Sequence, residues 1–340
     1  MTPIANARML LVVAAAVVAG GVAAEPVHGR QGAELSTVRL ADVQMRDAAV
    51  LPDTLTGKYY IVSAAPGAAV RAYVSEDLVD WEGPHIIYRT PPEMWGEEVA
   101  INGIWAPELH EYRGKYYLFL TFNTNYRLPE QWDQWFDWRP RVRRASQILV
   151  SGSPLGPFEP FSLEPTLPAE MMTLDGTLWV EDGVPYMIYC HEWVQIVDGA
   201  IAMIQLEPDL SATVGSPTYL FRASEAPWVQ DTEVERVTDG PWLYRSNSGK
   251  LFMLWSSYSE TGYTTGIAES DSGRLAGPWV QQPEPIFRDD GGHPMLFRTF
   301  DGRLMMALHA PNSGPGQRVH FFEMEDTGET LRIVRELIPG

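Results

Sequence analysis

The chain is poor in cysteine and in basic residues. Cys190 is the single cysteine of 340 residues, which excludes an intramolecular disulfide and a thiolate metal cluster. The 25 Lys and Arg residues are outnumbered by 44 Asp and Glu, and the formal net charge is −19. This balance argues against nucleic acid or an anionic membrane surface as a partner and suits a neutral partner such as a carbohydrate. No pattern in the sequence sets the oligomeric state.

Apolar runs long enough to span a membrane are also lacking. Arg8 precedes an apolar run from Met9 to Ala19, and small residues ending at Ala24 follow it. The run is short for a bilayer and its charged flank is N-terminal, so residues 1–24 are predicted to be a signal peptide. Secretion or a periplasmic location follows from this prediction. Residues 25–340 are predicted to form one domain.

Sustained helical periodicity is missing after the predicted signal peptide, which argues against a helical fold. No glycine-rich segment resembles a phosphate-binding loop, so no organic cofactor is implied. Instead, five segments share an apolar run, a turn containing Gly, and a second strand rich in aromatic and branched residues. The segments begin near residues 47, 105, 175, 239 and 293. A hairpin repeat of roughly 50–70 residues is typical of propeller blades. The sequence predicts an all-β fold, a five-bladed β-propeller.

Propeller geometry predicts where the polar residues gather. The first strand of each blade lines the central channel, and its start lies beside the end of the second strand. Four residues at equivalent positions of their repeats are therefore expected to ring one mouth of the channel: Asp47, Asp175, Asp239 and His293. Residues at the ends of second strands should border the same mouth: Asn123, His191, Glu192, Ser257 and His309.

A ring of carboxylates at a channel mouth suits hydrolysis of glycosidic bonds. This reaction needs one carboxyl group that stays protonated, to donate to the leaving oxygen, and one that is ionised, to activate water or attack. Their surroundings must push the two pKa values apart. A lone Asp at a strand start is usually a turn residue, so the hypothesis depends on the whole set.

From about residue 40 to the C-terminus, the chain resembles glycoside hydrolase family 43. The matching segments are Arg46-Asp47, Trp105 to Glu108 (WAPE), Leu174-Asp175-Gly176 and Thr238 to Pro241 (TDGP). The resemblance implies that Asp47 is the general base and that Asp175 orients the proton donor and tunes its pKa. Ala48 replaces the family's usual Pro, and Asp239 replaces its usual general-acid Glu.

Three residues are candidates for the proton donor. Asp239 lies at the motif position, but an Asp side chain is one methylene shorter than Glu, roughly 1.3–1.5 Å. Glu192, in the CHEW segment, is expected at the same mouth, and Glu235 lies just upstream of Asp239. Ranked by how well each carboxyl is expected to reach the glycosidic bond, the order is Asp239, Glu192 and then Glu235.

The remaining site residues each have two interpretations. Trp105 is either a stacking platform for sugar or part of the core between blades. His293, in the GGH segment, either holds a calcium ion in the channel, as the resemblance implies, or is a hydrogen-bonded residue of the inner wall. Arg46, His191 and His309 are expected to bind substrate at the mouth.

An unusual segment runs from residue 123 to 144 (NTNYRLPEQWDQWFDWRPRVRR). Trp132, Trp135 and Trp138 are either an aromatic wall for sugar binding or rings packed on the rim of the propeller. The arginines that follow are expected to pair with local acids. An insertion at the mouth favours a pocket that accepts a chain end, hence exo action.

The resulting expectation is an inverting glycoside hydrolase acting on plant-type polysaccharide or oligosaccharide. The family resemblance favours an exo-acting α-L-arabinofuranosidase or β-xylosidase, with galactofuranosidase or galactan-active members as alternatives. A retaining fructan-active propeller would usually show an Arg-Asp-Pro motif in a middle blade, which this chain lacks. A non-catalytic sugar-binding propeller is the second open hypothesis, because fold does not secure function.

Overall fold

The computed structural model describes residues 35–132, 139–233 and 235–337. The predicted signal peptide, Trp135 and Trp138 lie outside these ranges, so those predictions stay open. The described chain forms five antiparallel sheets arranged as the five blades of a propeller. The predicted all-β five-bladed fold is therefore confirmed. Among the described residues, no helix has the length and apolarity needed to cross a membrane.

Each blade is a sheet whose strands follow one another in the chain, and blade I gains an additional outer strand. Blade I comprises β1 (Ser36–Val38), β2 (Ala49–Asp53), β3 (Lys58–Ala65), β4 (Ala69–Ser75) and β5 (Trp81–Arg89). Blade II comprises β6 (Ile101–Tyr112), β7 (Lys115–Thr124), β8 (Ala145–Ser151) and β9 (Glu159–Pro160). In blade I the order is β1-β5-β4-β3-β2, so the first strand of the chain covers the outer edge.

Blades III to V have four strands each. Blade III comprises β10 (Thr173–Glu181), β11 (Val184–His191), β12 (Ala200–Leu206) and β13 (Thr213–Arg222). Blade IV comprises β14 (Asp239–Arg245), β15 (Leu251–Ser259), β16 (Gly262–Ser270) and β17 (Trp279–Gln281). Blade V comprises β18 (Gly292–Arg298), β19 (Leu304–Ala310), β20 (Arg318–Asp326) and β21 (Leu331–Leu337). One α-helical turn, α1 (Trp193–Ile196), and two 3₁₀ turns, Leu40–Asp42 and Ala223–Glu225, complete the described structure.

The second strands of the blades are largely apolar because both of their faces are covered by neighbouring blades. In β15, every residue from Leu251 to Ser257 is buried. Such continuous burial explains why the second strands read as uninterrupted Leu, Met, Phe and Trp rather than as alternating patterns. The ring closes by the same packing, because Phe321 of blade V lies 6.5 Å from Trp81 of blade I, centroid to centroid.

Gly266 of β16 shows how tightly blades III and IV are joined. A Cβ at this position would lie 2.2 Å from Cζ2 of Trp228, whose ring packs at 4.8 Å on the buried Trp255. We expect Gly266→Ala to lower the free energy of unfolding by about 1–3 kcal/mol or more, because the indole has no free space to move into. Urea denaturation of the purified protein measures this change.

Gly152→Ala is the matched control for this prediction. Gly152 has ordinary backbone geometry and open space around its Cβ position. Equal unfolding midpoints for the two variants would contradict the close packing of Trp228 against β16.

Candidate active site

A cavity of about 1200 Å³ lies at one mouth of the channel. Polar side chains from several blades converge on it, as the repeat pattern predicted. The acidic and histidine residues that line it are Asp42, Asp47, Asp175, Glu192, Glu235, Asp239 and His293. Arg46, Trp105, Asn123 and Arg144 also belong to the lining.

A left-handed backbone position recurs in all five blades, on the inner strand or just before it. The residues there have φ angles of 48°, 41°, 56°, 51° and 55°, and they are Asp47, Ala106, Asp175, Gly240 and His293. Only glycine adopts this left-handed region freely, and other residues adopt it at a cost of order 1–3 kcal/mol. In four of the blades a shift of the strand register, typical of a β-bulge, spans the same position.

The prediction that Asp239 is equivalent to Asp47, Asp175 and His293 is wrong by one residue. Gly240 occupies the strained position of blade IV, and Asp239 precedes it as Arg46 and Trp105 precede theirs. Gly240 is required there because a Cβ would lie 2.8 Å from Cγ of His293. Asp239 still lines the cavity, but it approaches from a different direction than Asp47.

Asp47 is held by one arginine and lies against two histidines. Its Oδ2 accepts a hydrogen bond from Nε of Arg46 at 3.0 Å. Its Oδ1 lies 3.5 Å from Nδ1 of His293 and 3.3 Å from Nδ1 of His309, and it accepts no hydrogen bond from the described residues. Burial alone would raise the pKa of Asp47, but the charges of His293 and Arg46 outweigh it and hold the pKa below its usual value. Asp47 is therefore an ionised carboxylate, and its Oδ1 is buried from solvent.

Asp175 and Asp239 form a second acidic group. Oδ2 of Asp175 accepts a hydrogen bond from the backbone N–H of Gly240 at 3.0 Å and lies 3.7 Å from Nδ1 of His293. Burial, followed by the charge of Asp47, raises the pKa of Asp175 well above its ordinary value. Burial, followed by the charge of Asp175, raises the pKa of Asp239 to about 7. Near neutral pH the two carboxyls therefore retain a proton between them.

Glu192 has a different environment. Both of its carboxylate oxygens accept hydrogen bonds from Nη1 of Arg144. The guanidinium of Arg144 also lies 4.0 Å from the centroid of the Trp105 ring and donates through Nε to Asn123. Glu192 is thus an acceptor in a buried ion pair with Arg144.

Trp105 is 39 % exposed, and one of its faces is covered by Arg144. A residue of the core between blades would be buried, so this exposure favours the platform interpretation of Trp105. The other face of the indole is the one available to a sugar ring. Arg144 is a residue that sequence reasoning missed, because its only signal was its place in the basic run after residue 138.

His191 and His309 do not belong to the cavity lining. His191 contacts the hydroxyl of Tyr219 at 2.6 Å and Oε1 of Gln195 at 2.7 Å, and Gln195 in turn accepts from the backbone N–H of Met172. His191 thereby fixes the turn that carries Glu192. The expected direct contact of His191 with substrate is not supported by this placement.

His309 lies behind Asp47. Its Nδ1 accepts from the backbone N–H of Asp47 at 3.4 Å, and its Nε2 lies 3.4 Å from Oδ1 of Asn312. Burial lowers the pKa of His309 to about 4, so the ring is neutral near pH 7. Its side chain is fully buried, which assigns it to the support of the strained backbone at Asp47 and not to contact with substrate.

His293 joins the two acidic groups, with its Nδ1 between Asp47 and Asp175. Calcium requires six to eight oxygen ligands. Within residues 35–132, 139–233 and 235–337, no group of three or more His, Cys, Asp or Glu side chains has the arrangement to hold a metal ion. The calcium ion at His293 therefore stays a prediction, and we derive no step through a metal.

The described residues of the blade II insertion, 123–132 and 139–144, contribute to one side of the cavity. Arg141 lies 4.3 Å from the Trp132 ring centroid and donates through Nη2 to the carbonyl of Gln195 at 2.9 Å. Leu128 and Trp132 pack with Trp193 at the start of α1. Trp132 is therefore a packed rim residue, while Arg139 and Pro140 of the same segment line the cavity.

Comparisons with known proteins agree with this architecture. The endo-arabinase from Bacteroides thetaiotaomicron VPI-5482 is 36% identical and superposes with a TM-score of 0.72, over 89% of this chain and 98% of that one. The α-L-arabinofuranosidase from Lactobacillus brevis, at 18% identity and a TM-score of 0.68, shares the fold over 89% of this chain and 99% of that one.

Among characterised sequences, an extracellular exo-α-(1→5)-L-arabinofuranosidase from Streptomyces chartreusis is 25% identical over 275 residues, 75% of this chain and 76% of that protein. The model of glycosyl hydrolases family 43 matches residues 43–333. The match covers all five blades and the acidic cavity. The chain belongs to glycosyl hydrolases family 43 and is a glycoside hydrolase.

Proposed function

We propose that this enzyme hydrolyses α-1,5-linked L-arabinofuranosyl oligosaccharides from a chain end, with inversion at the anomeric carbon. The observation that carries the mechanism is the opposite shift of two carboxyls at one cavity. The pKa of Asp47 lies below its usual value, and that of Asp239 is raised to about 7. A base that is ionised and an acid that is protonated are what a single displacement requires.

In the proposed step, Asp47 takes a proton from water as the water oxygen attacks the anomeric carbon. The glycosidic C–O bond breaks, and the leaving oxygen takes the proton of Asp239. Asp175 stays beside Asp239 and keeps the pKa of that residue high. Arg46 donates to Oδ2 of Asp47 and fixes the orientation of the base carboxylate.

The substrate proposal draws on the names of two relatives. The Bacteroides relative is called an endo-arabinase, and the Streptomyces relative acts on α-(1→5) linkages of L-arabinofuranose. The described part of the insertion packs beside α1 and lines one side of the cavity, which supports exo action. Export of this enzyme is a further proposal, supported by the predicted signal peptide and by the extracellular relative.

Digestion of linear α-1,5-arabinan and of arabino-oligosaccharides tests the proposal. We expect arabinose as the first product, appearing as the β-anomer when proton NMR follows the reaction before mutarotation. Release of longer oligosaccharides would overturn exo action, and an initial α-anomer would overturn inversion. Turnover of β-xylosides or β-galactofuranosides in place of arabinofuranosides would overturn the proposed substrate. The roles of Asp47 and Asp239 would still be tested by the variants described below.

A further inference from the structure

A buried tyrosine lies directly behind the proposed proton donor. The hydroxyl of Tyr263, on β16, donates a hydrogen bond to Oδ2 of Asp239 at 3.0 Å. Burial raises the pKa of Tyr263 well above its ordinary value, so the hydroxyl keeps its proton over the working pH range. Tyr263 therefore acts as a fixed donor toward this carboxyl.

The ring of Tyr263 is clamped on several sides. It stacks on His309 with centroids 5.8 Å apart and packs at 5.3 Å against Tyr258. A Cβ on Gly292 would lie 2.4 Å from Cε1 of the tyrosine ring, which gives a structural reason for the glycine before His293. The ring has no room to turn away from Asp239.

We propose that Tyr263 is a positioning residue that orients Asp239 for proton donation. The proposal rests on the role assigned to Asp239 above. With Oδ2 occupied by the tyrosine hydroxyl, the acidic proton resides on Oδ1, and one orientation of the carboxyl is selected. Held in one orientation, the shorter Asp239 side chain can donate the proton in place of the longer Glu that is usual in the family, because fewer orientations are sampled.

The same hydrogen bond has a second consequence during the reaction. Once Asp239 has given up its proton, the hydroxyl of Tyr263 stabilises the carboxylate that remains, and hydrogen bonds to charged groups are the stronger kind. Removing the hydroxyl therefore raises the pKa of Asp239. Since activity is lost as the pH rises through this pKa, the basic limb of the pH profile moves to higher pH. The other titratable and charged groups that face Asp239 are Arg46, Asp47, Asp175, Cys190, Tyr258 and His293.

Tyr263→Phe tests the proposal, because it removes one oxygen and keeps the ring. We expect about a tenfold or greater loss of kcat/KM on arabino-oligosaccharides and a rise of about one pH unit in the basic limb. On p-nitrophenyl α-L-arabinofuranoside, whose leaving group needs little protonation, the loss should be severalfold smaller.

Tyr116→Phe is the matched control. Its buried hydroxyl donates to Oδ2 of Asp53 at 2.9 Å, outside the cavity lining, so the same bond is removed away from the site. We expect this variant to lose stability but to keep the parent pH profile. A Tyr263→Phe variant with equal losses on both substrates and an unmoved basic limb would overturn the positioning role.

A double-mutant cycle separates this proposal from the role of Asp239 itself. If Tyr263 acts through Asp239, then adding Tyr263→Phe to Asp239→Asn should cause no further loss on the activated substrate. Additive losses would overturn the positioning role even though Asp239 remained the donor. Asp239→Asn alone should lose far more activity on arabino-oligosaccharides than on the p-nitrophenyl substrate. If it does not, Asp239 is not the proton donor, and the proposed function fails independently of Tyr263.

Discussion

Asp47→Asn is expected to lower kcat by about 10³- to 10⁴-fold on arabino-oligosaccharides and on p-nitrophenyl α-L-arabinofuranoside alike. General-base catalysis contributes roughly 10²–10⁴-fold in enzymes, and a neutral amide cannot take the proton of the attacking water. The loss should not depend on the leaving group, because both substrates need an activated water. Substrate binding should change little, since the amide keeps the size of the carboxylate.

Asparagine is the appropriate replacement because of the backbone at this position. Asp47 has a φ of 48°, a region that Asn enters more readily than Ala. An alanine would add backbone strain to the chemical change, and the two effects could not be told apart. The kinetic constants of the variant, measured on both substrates, are the test.

Asp182→Asn is the control for this variant. Asp182 also has a left-handed backbone, with a φ of 52°, but it lies on the exposed hairpin turn of blade III and outside the cavity. Its replacement should leave both activities near the parent values. An Asp47→Asn enzyme that kept more than about a tenth of the parent kcat would remove Asp47 from the role of base.

The blades were predictable from the sequence because their signal is local. Each hairpin combines strand-forming residues with a Gly turn, and five repetitions leave few folds that could contain them. The mouth of the channel was predictable for the same reason, since antiparallel pairing places the start of one strand beside the end of the next. Asp47, Asp175, Asp239, His293 and Glu192 all line the cavity as this argument requires.

The direction of individual side chains could not be predicted in this way. Whether Asp239 or Gly240 occupies the strained position depends on where the bulge falls, and Asp-Gly reads as an ordinary turn pair in the sequence. His191 and His309 lie at the predicted strand ends but turn away from the cavity. Arg144 contacts Glu192, 48 positions away in the chain, and Tyr263 contacts Asp239, 24 positions away. The sequence offers no local signal for contacts at such separations.

The shifted pKa values predict an asymmetric pH profile. The base must be ionised, so activity is lost as the pH falls through the low pKa of Asp47. The acid must be protonated, so activity is lost as the pH rises through about 7, the pKa of Asp239. The optimum of kcat/KM should therefore lie on the acidic side of neutrality.

Asp239→Asn should reveal the proton donor by the contrast between two leaving groups. On arabino-oligosaccharides, where the leaving oxygen is a poor leaving group without a proton, we expect a loss of about 10³-fold. On p-nitrophenyl α-L-arabinofuranoside, the loss should be roughly tenfold or less, because p-nitrophenolate leaves with little assistance. The basic limb of the pH profile should disappear on either substrate, since no group near pH 7 then needs to stay protonated.

Glu192→Gln is the comparison that decides between the two candidate donors. Glu192 is held by Arg144 against Trp105, so its replacement should disturb the platform and lower activity on both substrates by similar factors. The basic limb should remain, because Asp239 is intact. If Glu192→Gln instead spared the activated substrate and abolished the basic limb, Glu192 would be the proton donor. Asp239 would then be left, with Asp175, as part of the buried acidic pair that sets the electrostatic field of the site.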